Sequence, residues 1–119
     1  EGGNLVGAAL QGKRVLIIDD VITAGTAIRE VLEILHAQGA TPAGIIVALD
    51  RQERGATGEL SAIQEIVQQH HIPVVSIIKL DHIVEFLRER GGQHELVESM
   101  AQYRAKYGSK DLQDWGSKV

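Results

Sequence analysis

Residues Val15–Ala27 read VLIIDDVITAGTA, and their order decides the fold. Val15 to Ile18 is a short apolar run, rich in β-branched side chains and too short for a helix. It predicts a buried strand over Arg14–Asp19. The run ends in two carboxylates, Asp19 and Asp20. Thr23-Ala24-Gly25-Thr26 follows as a turn of small residues, and a helical pattern then begins. In a parallel α/β sheet, ligands bind just outside the C-terminal ends of strands, where this acidic tip and small-residue loop would lie.

The loop has a chemical reading of its own. Small side chains let a ligand approach the backbone, and Gly25 permits a positive φ and close contact. The first amides of a helix lack internal partners, and the helix dipole points its positive end at them. Such a turn holds an anion, most often a phosphate, and Thr23 and Thr26 add hydroxyl donors. No Lys follows the glycine, so this is not the nucleoside-triphosphate loop, and a single terminal phosphate fits better. Asp19 and Asp20 repel phosphate. They suit the hydroxyls of an attached sugar or, through water, a metal. Phosphate donors beside hydroxyl acceptors describe a site for a ribose 5-phosphate. Read more plainly, Thr before a helix is an N-cap and the paired acids are a solvated strand end.

The segment resembles the phosphoribosyl-diphosphate (PRPP) signature of the type I phosphoribosyltransferases: an apolar strand of four residues, two acids, and a Thr-Gly-Thr-like loop. The variant here, DDVITAGTA over Asp19–Ala27, is similar to that of the orotate phosphoribosyltransferases. A second stretch, LDRQERG over Leu49–Gly55, matches the same group. The resemblance runs from Glu1 to about Tyr107. It implies a Rossmann-like α/β fold, a parallel sheet flanked by helices. It places Asp19, Asp20, Val21, Ile22, Thr23, Ala24, Gly25, Thr26 and Ala27 on PRPP and its 5-phosphate, with Asp19 and Asp20 as the catalytic pair. Thr23 and Arg51 fall on orotate. The implied reaction is orotate plus PRPP giving orotidine 5′-monophosphate and pyrophosphate, in pyrimidine (UMP) synthesis. Mg²⁺ would be carried by PRPP and water, with no direct protein ligand, and the assembly would be a homodimer.

Composition bounds the rest. The 119 residues suffice for one domain spanning 1–119, with 44% hydrophobic and 24% charged residues. The net charge is −4 and the 12 Lys and Arg are scattered, so no basic stripe favours nucleic acid or an anionic membrane. There is no cysteine for a disulfide framework or thiolate site, which fits a cytoplasmic protein. No apolar run approaches the ~20 residues that span a bilayer, and no signal peptide opens the chain. The start, Glu1-Gly2-Gly3-Asn4, carries no Met. In the family resembled, a mobile loop rich in Lys and His closes over pyrophosphate, usually from the partner subunit. Glu1-Gly2-Gly3 resembles the tail of that loop. The chain therefore reads as a C-terminal portion, incomplete at its N-terminus and inactive by itself.

Along the chain, Gln11-Gly12 turns into the first strand. A helix follows over about Gly25–Gln38, with Ile28, Val31, Leu32 and Leu35 on one face and Gly39 as its stop. Pro42 and Gly44 mark a turn before a second strand, Gly44–Leu49, apolar on both faces as a central parallel strand should be. Gly55, Thr57 and Gly58 belong to a loop. A helix over about Glu59–His70 presents Leu60, Ile63 and Val67 inward, and His71-Ile72-Pro73 breaks it. The third strand is Val74–Ile78. A helix over Leu80–Arg90 faces in through Leu80, Ile83, Val84 and Leu87. A last helix, about His94–Tyr107, carries Leu96, Met100, Tyr103 and Tyr107 at core-like spacing. Residues 109–119, with Trp115, read as a fraying tail. Strands alternating with helices argue a parallel sheet with right-handed crossovers.

Arg51 lies two residues past the second strand, within reach of the Asp19–Asp20 tip because neighbouring strands run ~4.8 Å apart. Its planar fork suits a carboxylate. Without the resemblance, an ion pair with Asp50 or Glu53 is the simpler reading. Arg54 reads as solvated. The five histidines are scattered and read as surface or cap residues rather than converging metal ligands. Two alternatives share these features: another PRPP-dependent phosphoribosyltransferase, or a non-catalytic nucleotide-sensing regulator with the same core.

Overall fold

The structure, a computed structural model, describes residues 5–55 and 58–109. Expectations for Glu1–Asn4, for Thr57 and for Trp115 and its neighbours lie outside the described residues. Among the described residues seven elements follow in order: β1 (Arg14–Val21), α1 (Thr26–Ala37), β2 (Thr41–Asp50), α2 (Ala62–His70), β3 (Val74–Lys79), α3 (Leu80–Arg90) and α4 (His94–Tyr107).

The strands form one parallel sheet in the order β1-β2-β3. Parallel neighbours need crossovers, and α1 and α2 supply them. The pairing sets Ile17 beside Ile45, Ile18 beside Ile46 and Asp19 beside Val47. Side chains alternate along a strand, so the sheet has two faces of different fate. On one face Ile17, Ile45 and Val47 pack under Ile28, Leu32 and Leu35 of α1 and Ala62 and Ile66 of α2, with Ile72 closing the end. On the other, Leu16, Ile18, Val75 and Ile77 are exposed.

Several sequence expectations need correcting. β1 runs on to Val21, taking in both acids, because parallel pairing with β2 continues to the Val21–Leu49 partners. β2 begins at Thr41, not Gly44. Pro42 and Gly44 lie within the strand, where the register slips between Val15 and Leu16. An irregularity of this kind tolerates a proline that cannot donate to the ladder. α2 begins at Ala62 rather than Glu59. Ser61 caps it, accepting from the Gln64 amide while Gln64 Oε1 accepts from the Ser61 amide. The helix buries Ala62, Glu65 and Ile66, with the expected Ile63 half-buried against the core, while Val67 is exposed and Leu60 lies outside the helix. α3 matches its expected span, with Val84 fully buried, and the Lys79 amide donates to His82 Nδ1 at its start. α4 also matches in span, but no residue of it is buried, and Leu96, Tyr103 and Tyr107 are exposed. The core-like spacing of α4 instead stacks Tyr103 against Tyr107, ring centroids 4.8 Å apart. An Asp81–Arg104 ion pair ties α4 to α3.

Candidate active site

All three strands end at the same edge, so Asp19 and Asp20 of β1, Asp50 of β2 with Arg51 just after it, and Lys79 of β3 gather there. The strand holds Asp19 and Asp20 on opposite sides: Asp19 is half-buried and Asp20 exposed. The Asp20 amide donates to Asp19 Oδ1 at 2.8 Å, and the Val21 amide to Asp20 Oδ1 at 2.6 Å. The Val21 amide, and second a hydrogen bond with the Asp19 side chain, hold the Asp20 carboxyl below its ordinary range. Asp20 is therefore an ionised acceptor at the rim.

Beyond it, Ile22 turns into the core and anchors the loop, while Thr23, Ala24, Thr26 and Ala27 are exposed. Gly25 is the N-cap of α1, in the left-handed conformation at φ 82°, and no side chain caps the helix. The threonines are therefore not caps, and the first-turn amides of α1 point outward beside two open hydroxyls. Gly25 is buried, and a Cβ there would meet Arg29 Nη1 at 2.9 Å and the Ala62 Cβ at 3.4 Å.

Arg29 was not legible as part of this site. Its Nη1 donates to the Ala24 carbonyl at 2.8 Å and its Nη2 to Glu65 Oε2 at 3.1 Å. Glu65 is buried, so the contact is a loop-to-α2 tether of charge-assisted hydrogen bonds. The other Glu65 oxygen lies close to Gly55, where a Cβ would stand 2.8 Å away, so a larger residue at 55 would push the Glu65 carboxylate aside. The sequence offers an Arg just inside a helix, but nothing to say that Glu65 lies opposite.

Arg51 is oriented by Glu53. Arg51 Nε donates to Glu53 Oε1 and Nη2 to Oε2, both at 2.8 Å, the two-pronged geometry of a guanidinium on a carboxylate. The Tyr103 hydroxyl of α4 donates to the same carboxylate. The hydrogen bond to Glu53 raises both the Arg51 and the Tyr103 pKa above their ordinary values. Asp50 is not the partner: its Oδ1 accepts from the Gln52 amide at 2.8 Å. Gln52, at φ 54°, turns the chain so that its own side chain is buried and its Oε1 accepts from the Asp81 amide at the start of α3. Arg54 is not merely solvated. Its amide donates to the Tyr107 carbonyl at 2.8 Å and its guanidinium to the Lys106 carbonyl, fastening the end of α4. A cleft of about 430 Å³ lies apart from the Thr23–Ala27 turn, lined by Asp50, Gln52, Ser61, Gln64, Ser76 and Lys79 among others.

An acidic strand tip, an uncapped small-residue turn and a guanidinium set for a carboxylate thus share one sheet edge. Residues 5–74 match the family model described as the phosphoribosyl transferase domain. The chain belongs to the phosphoribosyltransferase family. The orotate phosphoribosyltransferase of Nitrosospira multiformis is 57% identical over 110 residues, 92% of this chain and 47% of that protein. That of Hahella chejuensis is 60% identical over 108 residues, covering 91% of this chain and 49% of the relative. The crystal structure of the Francisella tularensis orotate phosphoribosyltransferase superposes with a TM-score of 0.78 at 39% identity, covering 87% of this chain and 51% of that one. This phosphoribosyltransferase chain therefore spans about half the length of the relatives it matches. Among the described residues, no helix is long and apolar enough to cross a membrane.

Proposed function

We propose that this chain carries the ribose-phosphate subsite, and part of the base subsite, of an orotate phosphoribosyltransferase. The observation that carries the reading is the Thr23–Ala27 turn: Thr23, Ala24, Thr26 and Ala27 are exposed around a buried, left-handed Gly25, and the turn leads into a helix with no side-chain cap. The 5-phosphate of PRPP sits on the amides and hydroxyls of Thr23, Ala24, Gly25, Thr26 and Ala27, with Val21 and Ile22 shaping the approach. Asp19 and Asp20 accept from the ribose hydroxyls. As the bond to the anomeric carbon breaks, its electron pair leaves with pyrophosphate, and positive charge grows on the sugar. The ionised Asp20 carboxylate, with Asp19 beside it, stabilises that charge. The orotate ring nitrogen supplies the electron pair of the new bond, and its proton passes to water or to the departing pyrophosphate.

Arg51 takes the orotate carboxylate, with Thr23 close to the same ring. Its present partner supports this role, because Glu53 occupies the guanidinium fork as a carboxylate ligand would. On this reading, orotate replaces Glu53 on Arg51, and the Tyr103 hydroxyl keeps hold of the displaced carboxylate.

The donor set at the strand tip fits Mg²⁺ held at one remove. Asp19 and Asp20 are hard oxygen donors, too few to enclose a cation that prefers six oxygens, so a Mg²⁺ ion would keep water and diphosphate ligands there. When bound, it would neutralise charge on the leaving pyrophosphate. The whole enzyme is a cytoplasmic homodimer in this reading, and residues 1–119 alone turn over no orotate. The test is orotate consumption with PRPP by the full-length polypeptide that contains this sequence. Turnover of orotate in preference to purine bases supports the proposal. Turnover of another base instead, or tight nucleotide binding without turnover, would replace it with the corresponding alternative.

A further inference from the structure

The Thr23–Ala27 turn is held from behind. Arg29 Nη1 donates to the Ala24 carbonyl at 2.8 Å, and Arg29 Nη2 to Glu65 Oε2 at 3.1 Å. The Glu65 side chain is only 7% exposed and belongs to α2, whose start is fixed by the Ser61–Gln64 capping box. Arg29 is therefore braced by a buried carboxylate, and the Ala24 carbonyl is held by Arg29. A peptide unit is planar and trans, so its carbonyl and its amide point in opposite directions. With the Ala24 carbonyl drawn to Arg29, the Gly25 amide of the same unit points away from Arg29. Gly25 is buried, yet among the described residues nothing accepts from its amide. A buried amide without an acceptor costs free energy that a ligand oxygen would recover.

The backbone would not keep this orientation alone. Gly25 stands at φ 82°, and glycine adopts φ of either sign. Released from Arg29, the Ala24–Gly25 unit could turn over with no Cβ at Gly25 to oppose it. A carbonyl oxygen would then stand where the amide now points, and a phosphate would meet a lone pair instead of a donor. We propose that Arg29, braced by Glu65, is a positioning residue for phosphate binding: it locks the Ala24–Gly25 peptide unit with its amide turned towards the 5-phosphate. Arg29 acts through the backbone and not as a cation on the ligand, since both ends of its guanidinium are engaged and Glu65 offsets its charge. The proposal rests on the reading of Thr23–Ala27 as the ribose-phosphate subsite.

In the full-length polypeptide that contains this sequence, calorimetry measures ribose 5-phosphate binding and initial rates give the KM for PRPP and for orotate. Arg29→Met keeps an apolar stem and removes every donor. It should weaken ribose 5-phosphate binding and raise the PRPP KM by about tenfold, the loss of roughly one charge-assisted hydrogen bond, while the orotate KM moves less than about twofold. Arg29→Lys keeps one charged donor and should recover part of the loss. Glu65→Gln separates the two ways Arg29 could act. A loosened brace weakens phosphate binding, whereas a direct attraction would strengthen once the neighbouring negative charge is gone. A third of the Arg29 side chain is already exposed, at 33%, so circular dichroism should show both Arg29 variants folded. Should Glu65→Gln not fold, the Arg29 pair decides alone. Unchanged binding in Arg29→Met, equal rises in both KM values, no recovery in Arg29→Lys, or tighter binding in Glu65→Gln would each overturn the proposal. A wild type that binds ribose 5-phosphate, loses it in Arg29→Met and turns over no orotate would sink the enzyme reading and keep the Arg29 lock. Orotate turnover with Arg29→Met indistinguishable from wild type would do the reverse.

Discussion

Gly25→Ala should damage the turn by two separable routes. The first is backbone strain: at φ 82° a residue with a Cβ pays the left-handed penalty of about 1–2 kcal/mol. The second is displacement of Arg29. The new Cβ would lie 2.9 Å from Nη1, which holds the Ala24 carbonyl at 2.8 Å. A hydrogen bond to a charged group is worth about 1.5–3 kcal/mol, and partial exposure of the Arg29 side chain puts this one at about 1–1.5 kcal/mol. The sum is about 2–3.5 kcal/mol. Gly39→Ala is the matched control. Its φ is 69°, but its nearest neighbour is Gln11 Cγ at an ordinary 3.5 Å, so it should show strain alone. Urea unfolding followed by circular dichroism measures both. With a slope of about 1–3 kcal/mol per molar, Gly25→Ala should lower the midpoint by about 1–2 M and Gly39→Ala by roughly half as much. In an Arg29→Ala background the two substitutions should cost the same. Equal losses in the wild-type background, or a gap that survives removal of Arg29, would refute the tether between Arg29 and the loop.

In the full-length enzyme, Arg51→Ala should raise the KM for orotate far more than that for PRPP, since only orotate brings a carboxylate; equal effects would return Arg51 to a structural ion pair with Glu53. Asp20→Asn should lower kcat/KM by about 10²–10³, the usual loss for one charge-stabilising contact, with a smaller change in the unfolding midpoint. Wild-type turnover would leave Asp20 a solvated strand end. Tyr103 donates to Glu53, and that bond raises its pKa above 10.0, so the folded state favours the neutral phenol. Its contribution to stability is fully present below the ordinary value and fades as pH climbs through the raised one. In a Tyr107→Phe variant, phenolate absorbance should then appear at higher pH folded than unfolded, and Glu53→Gln should bring the folded titration down.

The sequence disclosed what short-range pattern controls. The run Val15–Ile18 declared β1, and Ile28, Leu32 and Leu35 declared the buried side of α1, because burial on one face leaves a periodic trace. Element ends were harder. Asp20 and Val21 look like the start of the loop, yet the sheet ladder carries on through them; Pro42 and Gly44 look like a turn, yet a slipped register absorbs them. The Ser61–Gln64 capping box was readable and would have set the start of α2 at Ala62. The stripe on α4 misled, because spacing shows which residues share a side and not whether anything packs against them. At the site, the turn and both acids were legible because consecutive residues make them. The Arg29–Glu65 tether and the Tyr103–Glu53 contact join residues distant in sequence, and the left-handed Gln52 between Arg51 and Glu53 carries no glycine to announce it.

Amide chemical shifts of the ¹⁵N-labelled chain, titrated with ribose 5-phosphate, test the central claim most directly. The account predicts saturable shifts centred on Thr23, Ala24, Gly25, Thr26 and Ala27, with smaller ones at Asp19 and Asp20, and their loss in Gly25→Ala. Shifts centred instead on the cleft lined by Asp50, Gln52 and Lys79, or none at millimolar ligand, would contradict it.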